Sequence, residues 1–176
     1  DQVKRQFDTN VVGLLEVTKA VLPHFRANRS GTIVNISSIA GRMGFPLGTL
    51  YHGSKFAVEG ISESLQYEIG ELGVKVKIIE PGAIGTDFSG RSFVFTSDES
   101  MVEYQRLTSK ISGAFDGWFG DASPPSGVAD VIHQAATDGT DQLRYPAGMN
   151  AAEMLGGRAA ADDAAFAAGI KEQFGL

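Results

Sequence analysis

The fold of this chain is decided between residues 32 and 82, where the sequence is TIVNISSIAGRMGFPLGTLYHGSKFAVEGISESLQYEIGELGVKVKIIEPG. Residues 32–37 (TIVNIS) are typical of a short buried strand, and residues 74–80 (VKVKIIE) are typical of a second one. Between the two, apolar residues recur every three or four positions from about Leu50 to Leu72, which predicts an amphipathic helix that Gly73 ends. This order of strand, helix and strand predicts a parallel sheet with right-handed crossovers.

The flanking sequence continues the same alternation. An apolar face over residues 3–25 predicts a helix before the first strand. Further helices are predicted within residues 99–115 and 124–137, a last strand over residues 142–146 (QLRYP), and one or two short helices in the Ala-rich tail. We therefore expect one α/β domain over residues 1–176, built as a three-layer, doubly wound parallel sheet.

Composition excludes several classes of partner. A net charge of −6 disfavours binding to nucleic acid or to an anionic membrane. No apolar run is long enough to span a bilayer. The chain has no cysteine, so it has no disulfide and no thiolate metal site, and its histidines are too isolated to have metal-ligand spacing. We expect a cytoplasmic protein without a metal.

Ligands of a doubly wound parallel sheet bind beyond the carboxyl ends of its strands. In this sequence that rule selects the loop after Ser37 and the loop after Glu80. Residues with catalytic chemistry are expected in these two loops and on the helix between them.

The candidate catalytic residues are Tyr51, Lys55, Ser38 and Asn10. Tyr51 and Lys55 are four residues apart on the predicted helix, so both project from one face. A phenol has an ordinary pKa of about 10, and a nearby ammonium lowers that pKa and brings the proton within reach of a carbonyl or alkoxide. Ser38 follows a strand end, where its hydroxyl could bind the same substrate oxygen, and Asn10 could hold a water that links Lys55 to solvent.

Structural interpretations compete at each position. Tyr51 and Lys55 could be a solvated pair on the helix surface. Ser37 and Ser38 could cap a turn, which for Ser37 is the preferred interpretation, and Thr86 with Asp87 could start another turn. His52 projects about 100° around the helix from Tyr51 and is interpreted as a pocket wall or surface residue.

The four residues together resemble the short-chain dehydrogenase/reductase family in its compact form. Tyr51 and Lys55 match the family's Tyr-x-x-x-Lys motif, Ser38 lies thirteen positions before the tyrosine, and Asn10 lies forty-one positions before it, as the family's serine and helix asparagine do. The resemblance implies a Rossmann-like fold, of which this chain would be the C-terminal part only.

A second matching motif follows the second strand. Residues 81–86 (PGAIGT) match the turn that holds the nicotinamide amide in this family. The resemblance implies binding of NAD or NADP by a set of residues on the catalytic helix and on this turn, namely Tyr51, Lys55, Pro81, Gly82, Ile84 and Thr86.

The resemblance implies hydride transfer between this cofactor and a carbonyl or secondary alcohol. Tyr51 would donate or accept the proton on oxygen, and Ser38 would orient and polarise that oxygen. Lys55 would lower the pKa of the tyrosine and bind the nicotinamide ribose, and Asn10 would anchor a proton-relay water. An epimerase or dehydratase on the same scaffold, and a non-catalytic sensor that only binds the cofactor, are the alternative functions.

One part of the family pattern is missing. The phosphate loop Gly-x-x-x-Gly-x-Gly is absent, and Gly41, Gly44 and Gly48 do not have its spacing. We therefore expect that the N-terminal cofactor-binding half is missing from this chain. The chain alone would then be inactive, bind cofactor weakly and expose an unpaired sheet edge.

The segment 85–123 is predicted to be a substrate lid, because connections of this length are uncommon in compact domains. Its large apolar side chains predict a hydrophobic ketone or secondary alcohol as the substrate. These side chains are Phe88, Phe93, Phe95, Met101, Tyr104, Phe115, Trp118 and Phe119, with Met43, Phe45 and Leu47 predicted on the opposite wall. Phe115 and Leu107 are assigned to the core.

The two long helices are predicted to form an oligomer interface. The first is apolar beyond a single stripe, since Val12, Leu15 and Val17 add to its apolar face. By the same family resemblance, we expect a homodimer or homotetramer through helices at about residues 3–27 and 50–72.

Overall fold

A computed structural model of the chain describes residues 1–88, 96, 98–120 and 122–176, with the side chains of residues 114 and 116–120 excepted. The first long helix has three successive segments, which are α1 (Gln2–Phe7), a π-helical turn (Asp8–Val12) and α2 (Gly13–Asn28). The sheet and the catalytic helix follow as β1 (Gly31–Ile36), a 3-10 turn (Ile39–Gly41), α3 (Thr49–Gly70) and β2 (Val74–Pro81). The remaining elements are α4 (Val102–Gly120), α5 (Pro125–Thr137), β3 (Arg144–Ala147), α6 (Ala151–Ala160) and α7 (Asp163–Phe174).

The three strands form one parallel sheet in the order β1-β2-β3. Gly31 pairs with Val74 at the start of β1, and Ile78 pairs with Arg144 at the start of β3. Because all strands run the same way, their carboxyl ends meet at one edge of the sheet. The predicted parallel sheet is confirmed, with strand ends within two residues of the predicted positions.

Helices cover both faces of this sheet. On one face, Ile33 and Val76 pack against α2 and α3 through Leu22, Phe25, Leu65 and Ile69. On the other face, Val34, Ile79 and Tyr145 pack against α5 through Val128, Val131, Ile132 and Ala135. The alternation of Ile33 and Val34 between the two faces follows from the two-residue period of a strand. The three-layer, doubly wound arrangement is therefore confirmed.

The turn between α3 and β2 depends on one glycine. Gly73 has a φ of +75°, and a Cβ atom at this position would lie 2.3 Å from the carbonyl oxygen of Arg29. Glycine alone tolerates both the left-handed backbone and this close approach. The predicted helix end at Gly73 is confirmed, with the last helical residue at Gly70.

The ends of the predicted lid segment are held together. Ile84 and Ser123 form a parallel bridge, in which Gly85 N donates to Ser123 O (2.9 Å) and Ser123 N donates to Ala83 O (3.0 Å). Within the segment, α4 packs on α7, and the rings of Phe115 and Phe174 are 5.6 Å apart.

Among the side chains of α4 that the structure describes, Ile111 is fully buried. Leu107 and Phe115, the two residues assigned to the core, are partly buried. Phe93 and Phe95 of the predicted lid lie outside the described residues, as do the side chains of Trp118 and Phe119.

Candidate active site

Tyr51 and Lys55 lie on one face of α3, at the carboxyl edge of the sheet. The Lys55 Nζ atom is 5.7 Å from the centroid of the Tyr51 ring. It donates a hydrogen bond to the carbonyl oxygen of Ile36, the last residue of β1, at 2.9 Å. Both side chains are partly buried. Tyr51 and Lys55 are therefore not a solvated pair on the helix surface, which was the alternative interpretation.

Ser38 joins the end of β1 to the end of β2 and lies beside the candidate tyrosine, Tyr51. Its Oγ atom lies 3.3 Å from the carbonyl oxygen of Pro81 and accepts a hydrogen bond from Ala40 N at 3.1 Å. It is also hydrogen-bonded to the Tyr51 phenol. Ser38 therefore both caps the 3-10 turn and contacts the phenol.

Ser37 does not have the capping role that was preferred for it. Its side chain is buried, and no described residue offers its Oγ atom a hydrogen bond. The cap of the 3-10 turn is Ser38, because Ser38 is the residue in extended conformation just before that turn.

Burial favours the neutral forms of both catalytic side chains. Burial raises the pKa of Tyr51, and the hydrogen bond with Ser38 offsets part of that increase. Burial also lowers the pKa of Lys55, and the negative charge of Glu59 opposes that decrease. The pKa of Tyr51 is thus raised, in contrast to the expected lowering by Lys55, because loss of hydration is the larger effect at the phenol.

Asn10 lies in the π-helical turn and faces the catalytic helix. Its Nδ2 atom donates to the Oγ atom of the buried Ser54 at 3.0 Å, and Ser54 Oγ donates to the backbone oxygen of Tyr51 at 2.8 Å. Asn10 is therefore connected to the backbone of Tyr51 rather than to the Lys55 side chain. π-helical turns occur often at functional sites. The relay-water role of Asn10 stays a prediction.

The Pro81–Thr86 turn lies beside Ser38 and is held by backbone hydrogen bonds. Gly82 N donates to Ala147 O at 3.0 Å, and Ile84 forms the bridge to Ser123. Thr86 Oγ1 accepts a hydrogen bond from Phe88 N at 3.3 Å, so Thr86 does start a turn, as its structural interpretation expected. The cofactor role of this turn stays a prediction.

His52 is a buried clamp and not a surface residue, and its interpretation as a pocket wall stays a prediction. Its Nδ1 atom lies 3.0 Å from Ala40 O, and its Nε2 atom accepts a hydrogen bond from Phe45 N at 3.1 Å. This pattern assigns the proton to Nδ1. A Cβ atom on Gly48 would lie 2.6 Å from the imidazole, so the ring also requires a glycine there. The imidazole therefore fixes the loop that leads to Tyr51.

Sequence reasoning missed a partly buried ionic group between α3 and the sheet, which we call the carboxylate cluster (Glu59, Glu63, Glu80, Arg42 and Arg144). Arg144 Nε is 2.9 Å from Glu59 Oε2 and 3.8 Å from Glu80 Oε1, and Arg144 Nη2 binds Glu63. Arg42 Nη1 lies 4.0 Å from Glu59 Oε2. One feature of the sequence could have indicated this cluster. Glu59 is a charged residue one turn beyond Lys55, on a helix face that also carries Val58 and Ser62.

One carboxyl group of the cluster titrates near neutral pH. Burial and the neighbouring charge of Glu59 raise the pKa of Glu80 to about 7, against the opposing effect of Arg42 and Arg144. Glu80 directly precedes Pro81, the first residue of the turn beside Ser38.

One apolar side chain of the predicted lid segment approaches the phenol, since the rings of Phe88 and Tyr51 are 5.7 Å apart. In the loop before Tyr51, the ring of Phe45 packs 5.2 Å from that of His52. Met43, predicted on the pocket wall, is instead a core residue, since it is buried against Ile39 and Ala151.

The geometry suits proton transfer to or from an oxygen atom. A phenol, an ammonium and a hydroxyl converge at one sheet edge with an apolar side chain beside them. Among the residues that the structure describes, no three His, Asp or Glu side chains converge to hold a metal ion. No helix of the described part of the chain has the length and apolarity needed to cross a membrane.

Comparison with known proteins gives the same family as the sequence motifs. The family model for short chain dehydrogenases matches residues 1–94. Two uncharacterized oxidoreductases of Schizosaccharomyces pombe are each 46% identical over 176 residues, which is 100% of this chain and 73% of each relative. The 3-ketodihydrosphingosine reductase of Bacteroides thetaiotaomicron is 46% identical over 89 residues, which is 51% of this chain and 33% of that enzyme.

Solved structures share the fold. A short-chain dehydrogenase from Streptomyces avermitilis matches with a TM-score of 0.73 at 30% identity, over 94% of this chain and 58% of that chain. A 3-oxoacyl-(acyl-carrier protein) reductase from Brucella melitensis, solved with bound NAD, matches with a TM-score of 0.60 at 25% identity, over 83% of this chain and 50% of that chain. This chain therefore spans little more than half the length of these two proteins.

Proposed function

The chain belongs to the short-chain dehydrogenase family, and on that basis we propose that it carries the proton-transfer site of an oxidoreductase that uses NAD or NADP. The substrate is a carbonyl compound or the corresponding secondary alcohol. The observation that supports this proposal most directly is the convergence of Tyr51, Lys55 and Ser38 at the carboxyl edge of the sheet. An epimerase, a dehydratase or a cofactor sensor would be recognised by the absence of net hydride transfer.

The residues present fit a nicotinamide cofactor. The Lys55 ammonium has three N–H donors, and among the described residues its one hydrogen-bond partner is Ile36 O, so two donors remain for ribose hydroxyls. The backbone groups of the Pro81–Thr86 turn would hold the nicotinamide amide, on the same sheet edge. When bound, the cofactor gives or takes the hydride.

Tyr51 holds the proton that the reaction needs. Its raised pKa keeps the phenol protonated at neutral pH, so it donates to the substrate oxygen in the direction of carbonyl reduction. Ser38 orients that oxygen from the other side. In the direction of alcohol oxidation Tyr51 must first lose its proton, so oxidation should be faster at higher pH.

The substrate is proposed to be apolar. Phe88 contacts the Tyr51 ring, and the nearby loop contributes Phe45. The similarity to a reductase named for 3-ketodihydrosphingosine, a long-chain ketone, supports the same substrate class.

A substrate screen tests this proposal on the full-length protein with both cofactors. Burying one aromatic ring of the substrate contributes about 1.5–3 kcal/mol. Apolar ketones should therefore exceed sugars and small hydroxy acids by at least about tenfold in kcat/KM. A preference for a sugar or a charged acid would refute the apolar substrate, and loss of turnover with every carbonyl would refute the reductase.

A second copy of the chain is the proposed partner at the α2–α3 surface. A groove of ≈ 690 Å³ lies between these helices, and its apolar lining includes Leu15, Leu22, Ile61, Leu65, Ile69 and Leu72. Val17, Phe56 and Tyr67 are exposed on the same two helices. Extended apolar surface of this kind is typical of an interface.

A further inference from the structure

The carboxylate cluster connects the elements that carry the proposed catalytic residues. Glu59 belongs to α3, Glu80 to β2, Arg144 to β3, and Arg42 to the loop between Ser38 and Tyr51. Glu59 is buried, and Arg144 and Arg42 both face its Oε2 atom. A buried carboxylate is costly unless it is paired, so these contacts fix where the charge of Glu59 lies.

Glu59 is positioned directly behind Lys55. The two residues are one helical turn apart, which places their Cβ atoms about 5–6 Å from each other. The loop packs on this turn of α3, because a Cβ atom on Gly41 would lie 2.9 Å from Glu59 Cγ and 3.0 Å from the backbone oxygen of Lys55. Arg144 binds Oε2 of Glu59, while no described residue offers Oε1 a hydrogen bond. The charge is thus incompletely neutralised by hydrogen bonds.

Few charged groups other than Glu59 act on the Lys55 ammonium. Glu80 is neutral below its pKa of about 7, and Glu63 is on the exposed side of Arg144. The titratable and charged groups that face this pair from α3, β2, β3 and the loop are Tyr51, Glu63, Glu80, Arg144 and Arg42. Among the resolved effects on Lys55, burial favours the neutral amine and Glu59 favours the ammonium.

We propose that Glu59 is a positioning residue for Lys55: the Glu59 carboxylate, only partly neutralised by Arg144, attracts the ammonium one helical turn away and holds it beside Ile36 and Tyr51. This inference rests on the proposed function for its catalytic consequence. Without Glu59, burial alone would act on Lys55, and the amine would lose its proton at lower pH.

NMR titration of Lys55 in the full-length protein tests the inference without requiring turnover. The Lys55 signal is assigned by its loss in Lys55→Arg, and its titration midpoint is compared in the parent protein and in Glu59→Gln. The midpoint should shift to lower pH, and the alkaline limb of kcat should shift in the same direction. Glu63→Gln, which removes the exposed neighbour, is the matched control and should shift the midpoint much less.

Arg144→Gln provides an independent result if Glu59→Gln does not fold. Removing this cation should shift the Lys55 midpoint to higher pH, opposite to the shift expected in Glu59→Gln, whereas general loosening of the site would shift both variants the same way. Glu59→Asp keeps the charge and should restore most of the parent midpoint. An unchanged Lys55 midpoint in folded Glu59→Gln, or in folded Arg144→Gln, would overturn the inference. An altered midpoint with no turnover in any variant would count against the proposed function alone.

Discussion

At the scale of single residues, burial moves the pKa values of Tyr51 and Lys55 in opposite directions. The phenol becomes a weaker acid and the ammonium a stronger one. Each group therefore depends on its polar neighbours, the phenol on Ser38 and the ammonium on Glu59. The proposed proton transfer therefore depends on Ser38 and Glu59 as well as on Tyr51 and Lys55.

Replacing Tyr51 by phenylalanine removes only the proton donor. We expect Tyr51→Phe to lose about 10²- to 10⁴-fold in kcat, the usual contribution of a general acid, while cofactor affinity stays within a few fold. Steady-state kinetics and cofactor titration on the full-length protein would measure both. Tyr67→Phe is the matched control, because Tyr67 is on the same helix but is 74% exposed, and it should behave as the parent. A near-normal rate in Tyr51→Phe would disprove the mechanism.

Glu80 gives a prediction about stability and pH. Its folded-state pKa of about 7 lies above the ordinary 4.5, so the folded protein holds a proton that the unfolded chain releases between these pH values. Stability therefore falls as pH rises from about 4.5 to 7 and stays reduced above 7. Glu80→Gln stays neutral, so it should match the parent near pH 5 and exceed it at pH 8.

Urea unfolding at pH 5 and pH 8 measures this difference. With solvent screening allowed for, the gain at pH 8 should be on the order of 1–2 kcal/mol. Glu63→Gln is the opposite control, because Arg144 lowers the pKa of Glu63 and its charge stabilises the fold. Equal stability of Glu80→Gln and the parent at pH 8 would show that folding does not raise the pKa of Glu80.

At the scale of elements, local pattern predicted most of the architecture. The predicted helix at residues 124–137 is α5, because a proline in the first turn and an apolar face define it together. The π-helical turn was not predicted, because the apolar residues of the first helix keep their three- and four-residue spacing through it. Met43 was misplaced for a different reason, since its burial depends on α6, more than 100 residues later.

The loop from Ser38 to Tyr51 is an element whose packing can be tested at two glycines. A methyl group on Gly41 would lie 2.6 Å from Ser37 Oγ and 3.0 Å from Lys55 O, whereas one on Gly44 meets nothing within 4 Å. We expect Gly41→Ala to reduce the free energy of unfolding by about 1–3 kcal/mol and to reduce kcat.

Gly44→Ala should be neutral or slightly stabilising, because it only restricts the unfolded chain. Chemical denaturation of both variants makes the comparison. Equal losses of unfolding free energy in Gly41→Ala and Gly44→Ala would mean that the loop backbone itself, and not its packing against α3, determines the stability of this region.

At the scale of the whole molecule, the α2–α3 groove predicts association. Leu15 lines the groove and is 42% exposed, so Leu15→Glu should shift the full-length protein from an oligomer to a monomer in light scattering at micromolar concentration. Val102→Glu places the same charge on a more exposed valine of α4 and should leave the oligomer intact. A monomeric parent protein would remove the basis for this interface.

Separation along the sequence explains which part of the candidate site could be predicted and which part could not. Tyr51 and Lys55 are one helical turn apart, so spacing alone places them together. Glu59 and Arg144 are 85 residues apart and meet only because β3 lies beside β2. Side chains that support the site from other elements become visible only in the folded chain.

The π-helical turn at Asp8–Val12 has a consequence for the long helix that contains it. One extra residue in a helical turn advances everything after it by about 100°, so α1 and α2 are out of phase with each other. If the helix were α-helical throughout and Asn10 still faced Ser54, Leu15 and Leu22 would project in a different direction from the observed one. The offset lets Asn10 face α3 while α2 presents its apolar side chains to the groove proposed for a second copy, and a one-residue deletion within this turn should misalign one of these two surfaces.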